Sequence, residues 1–184
     1  MNISDILSVI ALLVALASLA HTLHQARVAR WLATEEKLTT LRVLAHQLVS
    51  RLNGAQSDIE ALAAPLEKDV AYREFWETST GEENSVATIH NLADTARDKA
   101  SSIQAIIDRI ESLSTKAHSR GIALRHATSP TEVEEMIGVF RVQHVAAEQV
   151  MRSIGRLQSR TETIEDRYRT RQPPEARAAP SDTA

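Results

Sequence analysis

The chain has 184 residues, of which 43% are hydrophobic and only 3% aromatic, and it contains five glycines, five prolines and no cysteine. So few helix breakers and aromatic side chains favour helices over β-sheet, which predicts an all-α protein. The net charge of −3 gives no electrostatic preference for nucleic acid, and the lack of cysteine excludes disulfides and thiolate metal sites.

The first predicted element is a single transmembrane helix over residues 6–23, preceded by a short extracytoplasmic N-terminus, residues 1–5. Residues 6–20 read ILSVIALLVALASLA, and no charged side chain occurs between Asp5 and Arg27. A bilayer requires roughly 17–25 apolar residues, and this segment lies near the lower limit. The sequence therefore predicts an anchor with the lipid bilayer as its partner.

The orientation of the predicted anchor follows from its flanks. The residues before it include no basic side chain, whereas Arg27 and Arg30 follow it, with Trp31 at interfacial depth. The positive-inside rule then places the N-terminus outside and the remainder in the cytoplasm, at the inner membrane of a bacterium. A cleaved signal peptide is the alternative, because Ser18-Leu19-Ala20 resembles a cleavage site; it would make the protein secreted or periplasmic.

Two sets of residues in this segment are candidate contact sites. Ser8, Ala11, Ala15 and Ser18 recur at 3-4-3 spacing, and such a stripe lets helices associate in lipid, although alanine and serine are also simply common in this chain. His21 and His24 lie one turn apart and are weak metal candidates, since no third ligand is near them in the sequence.

The rest of the chain predicts an antiparallel, up-down-up three-helix bundle or coiled coil, over residues 24–171. Apolar side chains repeat at 3-4 spacing in three long stretches, which is the seam of packed helices. Ser129-Pro130-Thr131-Glu132 is a helix start signal. The predicted helices cover residues 24–65, 82–119 and 130–171, with a short aromatic helix at 69–78 and a disordered tail at 172–184.

Two groups of residues, mostly basic, are predicted to form contact surfaces of this bundle. Arg27, Arg30, Trp31, Lys116, Arg120 and Arg125 would meet the anionic membrane surface. Arg152, Arg156 and Arg160 lie on one face of the third helix, where they would meet either the acidic stretch 58–83 of the same chain or an acidic cytosolic partner protein.

The sequence contains no H-E-x-x-H, glycine-rich phosphate loop or G-x-S-x-G motif, so we predict neither catalysis nor a cofactor. The function predicted is a membrane-anchored helical scaffold that self-associates and binds a cytosolic protein, with nucleic acid unlikely as a partner. The alternative is a pore-forming effector of the holin or small-toxin kind, although the span lacks a polar face.

Overall fold

The computed structural model describes residues 3–119 and 129–171, and over these residues the protein is all-α, as predicted. The described chain forms four helices. Three are long and one is short: α1 spans Ile3–Lys68, α2 Val70–Thr80, α3 Ser85–Ser119 and α4 Pro130–Arg171. The start of α4 coincides with the start signal, and the backbone N–H of Glu132 donates to the carbonyl of Ser129 at 2.9 Å.

Helix α1 does not end at Pro65, where the sequence had placed its end. Proline lacks the N–H that would bond to a carbonyl four residues earlier, yet α1 continues through it to Lys68. The carbonyl of Pro65 accepts from the N–H of Asp69 at 3.0 Å, so the backbone ladder resumes after the proline. Pro65 has no N–H to donate to the carbonyl of Ala61. Because Ala61 is exposed, this carbonyl lies at a surface position.

Two caps define α2. The Asp69 side chain accepts from the Tyr72 N–H at 2.9 Å and starts the helix. Gly81 ends it in the left-handed conformation, with φ 71° and its N–H donating to the Glu77 carbonyl at 2.8 Å. The next helix, α3, begins at Ser85, three residues after the predicted start at residue 82.

The described helices group into two units, whereas the sequence predicted one bundle. The first unit contains residues 3–44, 107–119 and 129–138, and the second contains residues 45–106 and 139–171. The heptad seams continue through the division, so nothing in the sequence pattern marks it.

In the first unit, ion pairs join each pair of long helices. Lys37 Nζ lies 2.6 Å from Glu134 Oε1, and Arg42 Nη2 lies 3.0 Å from Glu111 Oε1. Arg109 Nη2 lies 3.7 Å from Glu132 Oε1. Apolar side chains from all three helices are buried between them: Leu38, Leu41, Ile107, Ile110, Val133 and Met136. The first unit is thus a small bundle with a shared core.

In the second unit, the contacts also give the helix directions. Arg97 Nη2 lies 2.9 Å from Glu60 Oε1, and His90 Nε2 lies 3.2 Å from Glu67 Oε1, so later positions of α1 meet earlier positions of α3. Lys99 donates to Gln143 Oε1 at 3.4 Å on α4. Apolar side chains from all four helices form the core: Leu48, Leu52, Ile59, Leu66, Trp76, Ile89, Ala93, Ala96, Ile103, Ala147, Ile154 and Ile164. The predicted helical bundle is therefore confirmed.

Within the part of the chain whose side chains the structure describes, no helix has a stretch sufficiently long and apolar to cross a membrane. The predicted span, residues 6–23, includes residues 6, 7 and 9, whose side chains lie outside the described set. The transmembrane prediction is therefore not supported by the described residues.

Candidate functional site: the apolar segment at the start of α1

The candidate site is the apolar segment of α1, which we define as residues 10–23. Its large apolar side chains are all more than half exposed, from 52% at Ile10 to 61% at Val14. They occupy more than half of the helix circumference rather than one narrow stripe, and the remaining side carries the small residues Ala11, Ala15 and Ser18. The large apolar side chains are Ile10, Leu12, Leu13, Val14, Leu16, Leu19 and Leu23. An apolar surface of this kind is typical of a helix whose partner is another helix or lipid.

The sequence makes this segment helical without help from packing. No glycine or proline occurs between Met1 and Asn53, and alanine and leucine are strong helix formers. Its polar side chains bond within the helix: Thr22 Oγ1 donates to the Ser18 carbonyl at 2.9 Å, and the Gln25 amide lies 2.9 Å from His21 Nε2. The helix therefore satisfies its own hydrogen bonds while its apolar side chains stay uncovered.

The small-residue stripe lies along the start of this segment. Ser8, Ala11, Ala15 and Ser18 are all exposed. Whether they mediate association stays a prediction.

The two candidate metal ligands are also exposed. His21 contacts Gln25, and His24 lies one turn after it. Among the described residues, no group of three or more His, Cys, Asp or Glu side chains is placed to hold a metal ion.

The residues predicted at the membrane surface are placed only in part. Arg27 and Arg30 are exposed and Trp31 is half-buried, just beyond the apolar segment. The Thr34 hydroxyl donates to the Arg30 carbonyl at 2.9 Å and is nearly buried. A shallow groove of about 200 Å³ lies beside Arg30, Thr34, Lys37, Pro130 and Val133. The Lys116 side chain, Arg120 and Arg125 lie outside the described residues.

The three arginines predicted to bind a partner have different surroundings. Arg160 Nη1 lies 3.7 Å from Glu82 Oε1, so this arginine meets the acidic stretch of its own chain. Arg152 donates to the Glu148 carbonyl of its own helix at 3.2 Å. Arg156 is exposed and makes no hydrogen bond or ion pair with the described residues. The structure thus leaves Arg152 and Arg156 on the outer surface of α4.

An aromatic cluster closes the end of the second unit. The Tyr72 and Tyr168 ring centroids are 5.0 Å apart, and the Phe75 and Tyr168 centroids are 5.4 Å apart. The Arg171 guanidinium lies 5.1 Å from the centre of the Phe75 ring. Trp76, on the same helix as Tyr72 and Phe75, is fully buried. The aromatic residues therefore close the core, which is a structural role.

The Tyr72 hydroxyl is buried and has no hydrogen-bond partner among the described residues. Burial raises the pKa of Tyr72 to about 12, and the Glu165 carboxylate adds to the increase. Tyr72 therefore stays protonated at neutral pH.

Sequence reasoning missed one surface, which we call the valine face: Val139, Val142 and Val145 of α4. These side chains are 49%, 68% and 56% exposed. They lie off the buried seam of Met136, Phe140 and Ala147. A second 3-4 repeat in the same stretch of sequence was the signal that could have revealed them.

No protein family, curated protein or solved structure matches this chain.

Proposed function

We propose that the chain is a membrane-anchored helical scaffold without catalytic activity of its own. Residues 6–23 hold it in the inner membrane of a bacterium with the N-terminus outside, and the remaining helices lie in the cytoplasm, where they bind a protein partner. The observation that carries the proposal is the apolar segment of α1, with seven large apolar side chains more than half exposed.

Exposure of these side chains to water is unfavourable. Burial of a single side chain such as leucine, isoleucine or valine contributes about 1.5–3 kcal/mol. A bilayer removes all seven from water at once and requires no matching protein surface. The backbone polar groups are already paired inside the helix, which is the condition for a segment to enter lipid.

The residues after the apolar segment support this orientation. Arg27 and Arg30 are exposed, and Trp31 follows them directly. Basic side chains prefer the cytoplasmic side of the membrane, and tryptophan prefers the interface between lipid and water. No acidic residue occurs between the apolar segment and Glu35. The cationic end of the segment therefore fits the anionic cytoplasmic leaflet.

The outer surface of α4 supports the interaction role. Arg152 and Arg156 are exposed there, and so are the three side chains of the valine face. A surface that combines arginine with apolar side chains is typical of protein interfaces. In the membrane, we propose that Ser8, Ala11, Ala15 and Ser18 let two anchors approach each other closely.

The experiment compares two matched variants of the full chain by membrane fractionation. Leu13→Lys with Leu16→Lys places two charges in the proposed span. Leu32→Lys with Val43→Lys places the same charges at exposed apolar positions of α1 beyond it. We expect the wild type and the second variant in the carbonate-washed membrane fraction, and the first variant mainly in the soluble fraction. A wild type found in the soluble fraction would refute the anchor.

A reporter pair fused after Arg171 tests the topology. We expect a full-length fusion that is active in the cytoplasmic reporter. A periplasm-active fusion shortened by about 20 residues would show a cleaved signal peptide and would overturn the scaffold proposal.

A further inference from the structure

The outer surface of α4 carries a second heptad repeat that the bundle does not use. Glu135, Gly138, Val142, Val145, Gln149 and Arg152 follow one another at spacings of 3, 4, 3, 4 and 3 residues along this helix. All six are exposed. The buried seam of the same helix runs through other positions, such as Met136, Phe140 and Ala147. Helix α4 therefore has one seam inside its bundle and one facing outward.

Val142 and Val145 are the centre of this outward repeat. They are 68% and 56% exposed, and Val139 beside them is 49% exposed. No other large apolar side chain of α4 is so exposed, and none in the described part of α3 is. An exposed apolar stripe with polar ends is typical of a protein contact site.

We propose that this face pairs with the same face of a second copy of the chain, with the two α4 helices antiparallel. In that register, Val142 of each copy lies against Val145 of the other, and Gly138 lies opposite Gln149. Glu135 then meets Arg152 at both ends of the contact. When two helices of a coiled coil run antiparallel, each a position of the heptad lies against a d position of the partner helix.

The charges select this arrangement over a parallel pair. Parallel helices would place Glu135 against Glu135 and Arg152 against Arg152, which is repulsive at both ends. The antiparallel pair replaces both repulsions with attractions between opposite charges. The face is therefore complementary to itself in one direction alone.

Gly138 supports the same contact. A Cβ atom at this position would meet nothing within 4 Å, so the fold of one chain does not require glycine there. Glycine within a helix is less stable than alanine. In the proposed pair, the missing side chain makes room for the longer Gln149 side chain of the second copy.

The inference deepens the scaffold role and rests on it, because it names a self-contact outside the membrane. It uses none of the residues of the proposed anchor. Paired in this way, the two α4 helices point in opposite directions.

The test uses site-specific disulfides, for which the cysteine-free chain is well suited. Full-length Gly138→Cys and Gln149→Cys proteins carrying different tags are mixed in mild detergent and oxidised. We expect the mixed disulfide in at least fivefold excess over the two like disulfides, because only antiparallel pairing brings residue 138 next to residue 149. An excess of like disulfides, or no disulfide at all, would overturn the proposal.

A second pair of variants shows whether the valine face is responsible. Val142→Glu, added to both cysteine proteins, should reduce the mixed disulfide at least tenfold. Ser101→Glu, at an exposed position of α3, is the matched control and should leave it unchanged. Equal yields of the mixed disulfide with Val142→Glu and with Ser101→Glu would refute the role of the valine face.

The two proposals fail in distinguishable ways. A chain that fractionates as soluble but still forms the mixed disulfide would refute the anchor and support the pairing. A membrane-bound chain without the mixed disulfide would support the anchor and refute the pairing.

Discussion

Arg160 Nη1 lies 3.7 Å from Glu82 Oε1, which ties the outer side of α4 to the loop between α2 and α3. The second carboxylate oxygen of Glu82 is buried and has no hydrogen-bond partner among the described residues. A buried carboxylate oxygen without a donor is unfavourable, so the neighbouring guanidinium compensates part of that cost. The contact therefore helps to hold the loop against the end of the second unit.

Arg160→Met should lower the free energy of unfolding by about 0.5–1 kcal/mol, since the pair is partly exposed and solvent screens it. The measurement is urea unfolding followed by circular dichroism. Arg156→Met, one turn earlier and without a partner among the described residues, is the control and should change stability by less than about 0.5 kcal/mol. Equal effects of the two substitutions would show that the contact with Glu82 contributes nothing.

Trp76→Ala should lower the free energy of unfolding by about 3–5 kcal/mol, because it removes a fully buried indole from the end of the core. Thermal and urea unfolding measure the loss. Val70→Ala on the same helix removes an exposed side chain and should cost less than about 0.5 kcal/mol. A small effect of Trp76→Ala would mean that α2 does not close the core.

Replacement of Gly81 and of Gly54 by alanine should change the free energy of unfolding in opposite directions. Gly81→Ala should destabilise by about 1 kcal/mol, because φ is 71° and a side chain is strained in that conformation. Gly54→Ala should stabilise by up to about 1 kcal/mol, because Gly54 lies within α1 and a Cβ meets nothing within 4 Å. Urea midpoints of the two variants provide the comparison, and two shifts of the same sign would contradict it.

Stability should fall at high pH through Tyr72. Its pKa is about 12 in the folded protein and near 10 when unfolded, so the unfolded chain loses this proton first. The contribution of Tyr72 is thus complete below about pH 10 and is lost between about pH 10 and 12, with a slope on the order of 1 kcal/mol per pH unit. Tyr72→Phe should remove this part of the slope in unfolding curves taken between pH 9 and 11.5. An unchanged slope would show that another group is responsible.

Much of the helical core could be predicted from the sequence, because heptad spacing reports directly which side chains face a partner helix. Leu38, Leu41, Leu48, Leu52 and Ile59 follow that spacing, and all are buried. The pattern drifts at the end of α1, where Leu62 continues the 3-4 spacing from Ile59 but is only half-buried, and Ala63 is buried instead. A helix with 3.6 residues per turn departs gradually from a strict seven-residue repeat, and periodicity alone does not show where the register changes.

The ends of α2 and the outer face of α4 could not be predicted in the same way. A serine or threonine followed three residues later by glutamate indicates a helix start, but here Gly81 adopts a left-handed φ and makes this stretch a helix end. On α4, Val142 and Val145 follow the same 3-4 spacing as the buried seam, so spacing alone does not show which of the two repeats faces the core. The exposure of Val142 and Val145 in the structure distinguishes the outward repeat from the buried one.

The buried seam of α3 changes character along its length, from Ala93 and Ala96 to Ile103, all at most 1% exposed. Where alanine lies at a helix contact, a larger residue has no space, whereas truncation of isoleucine leaves an unfilled cavity. Side-chain size therefore has an upper limit at the alanine positions of this seam and a lower limit at the isoleucine position. Descendants of this chain would be expected to keep small residues at positions 93 and 96 and bulky ones at position 103, even as the surface of α3 diverges freely.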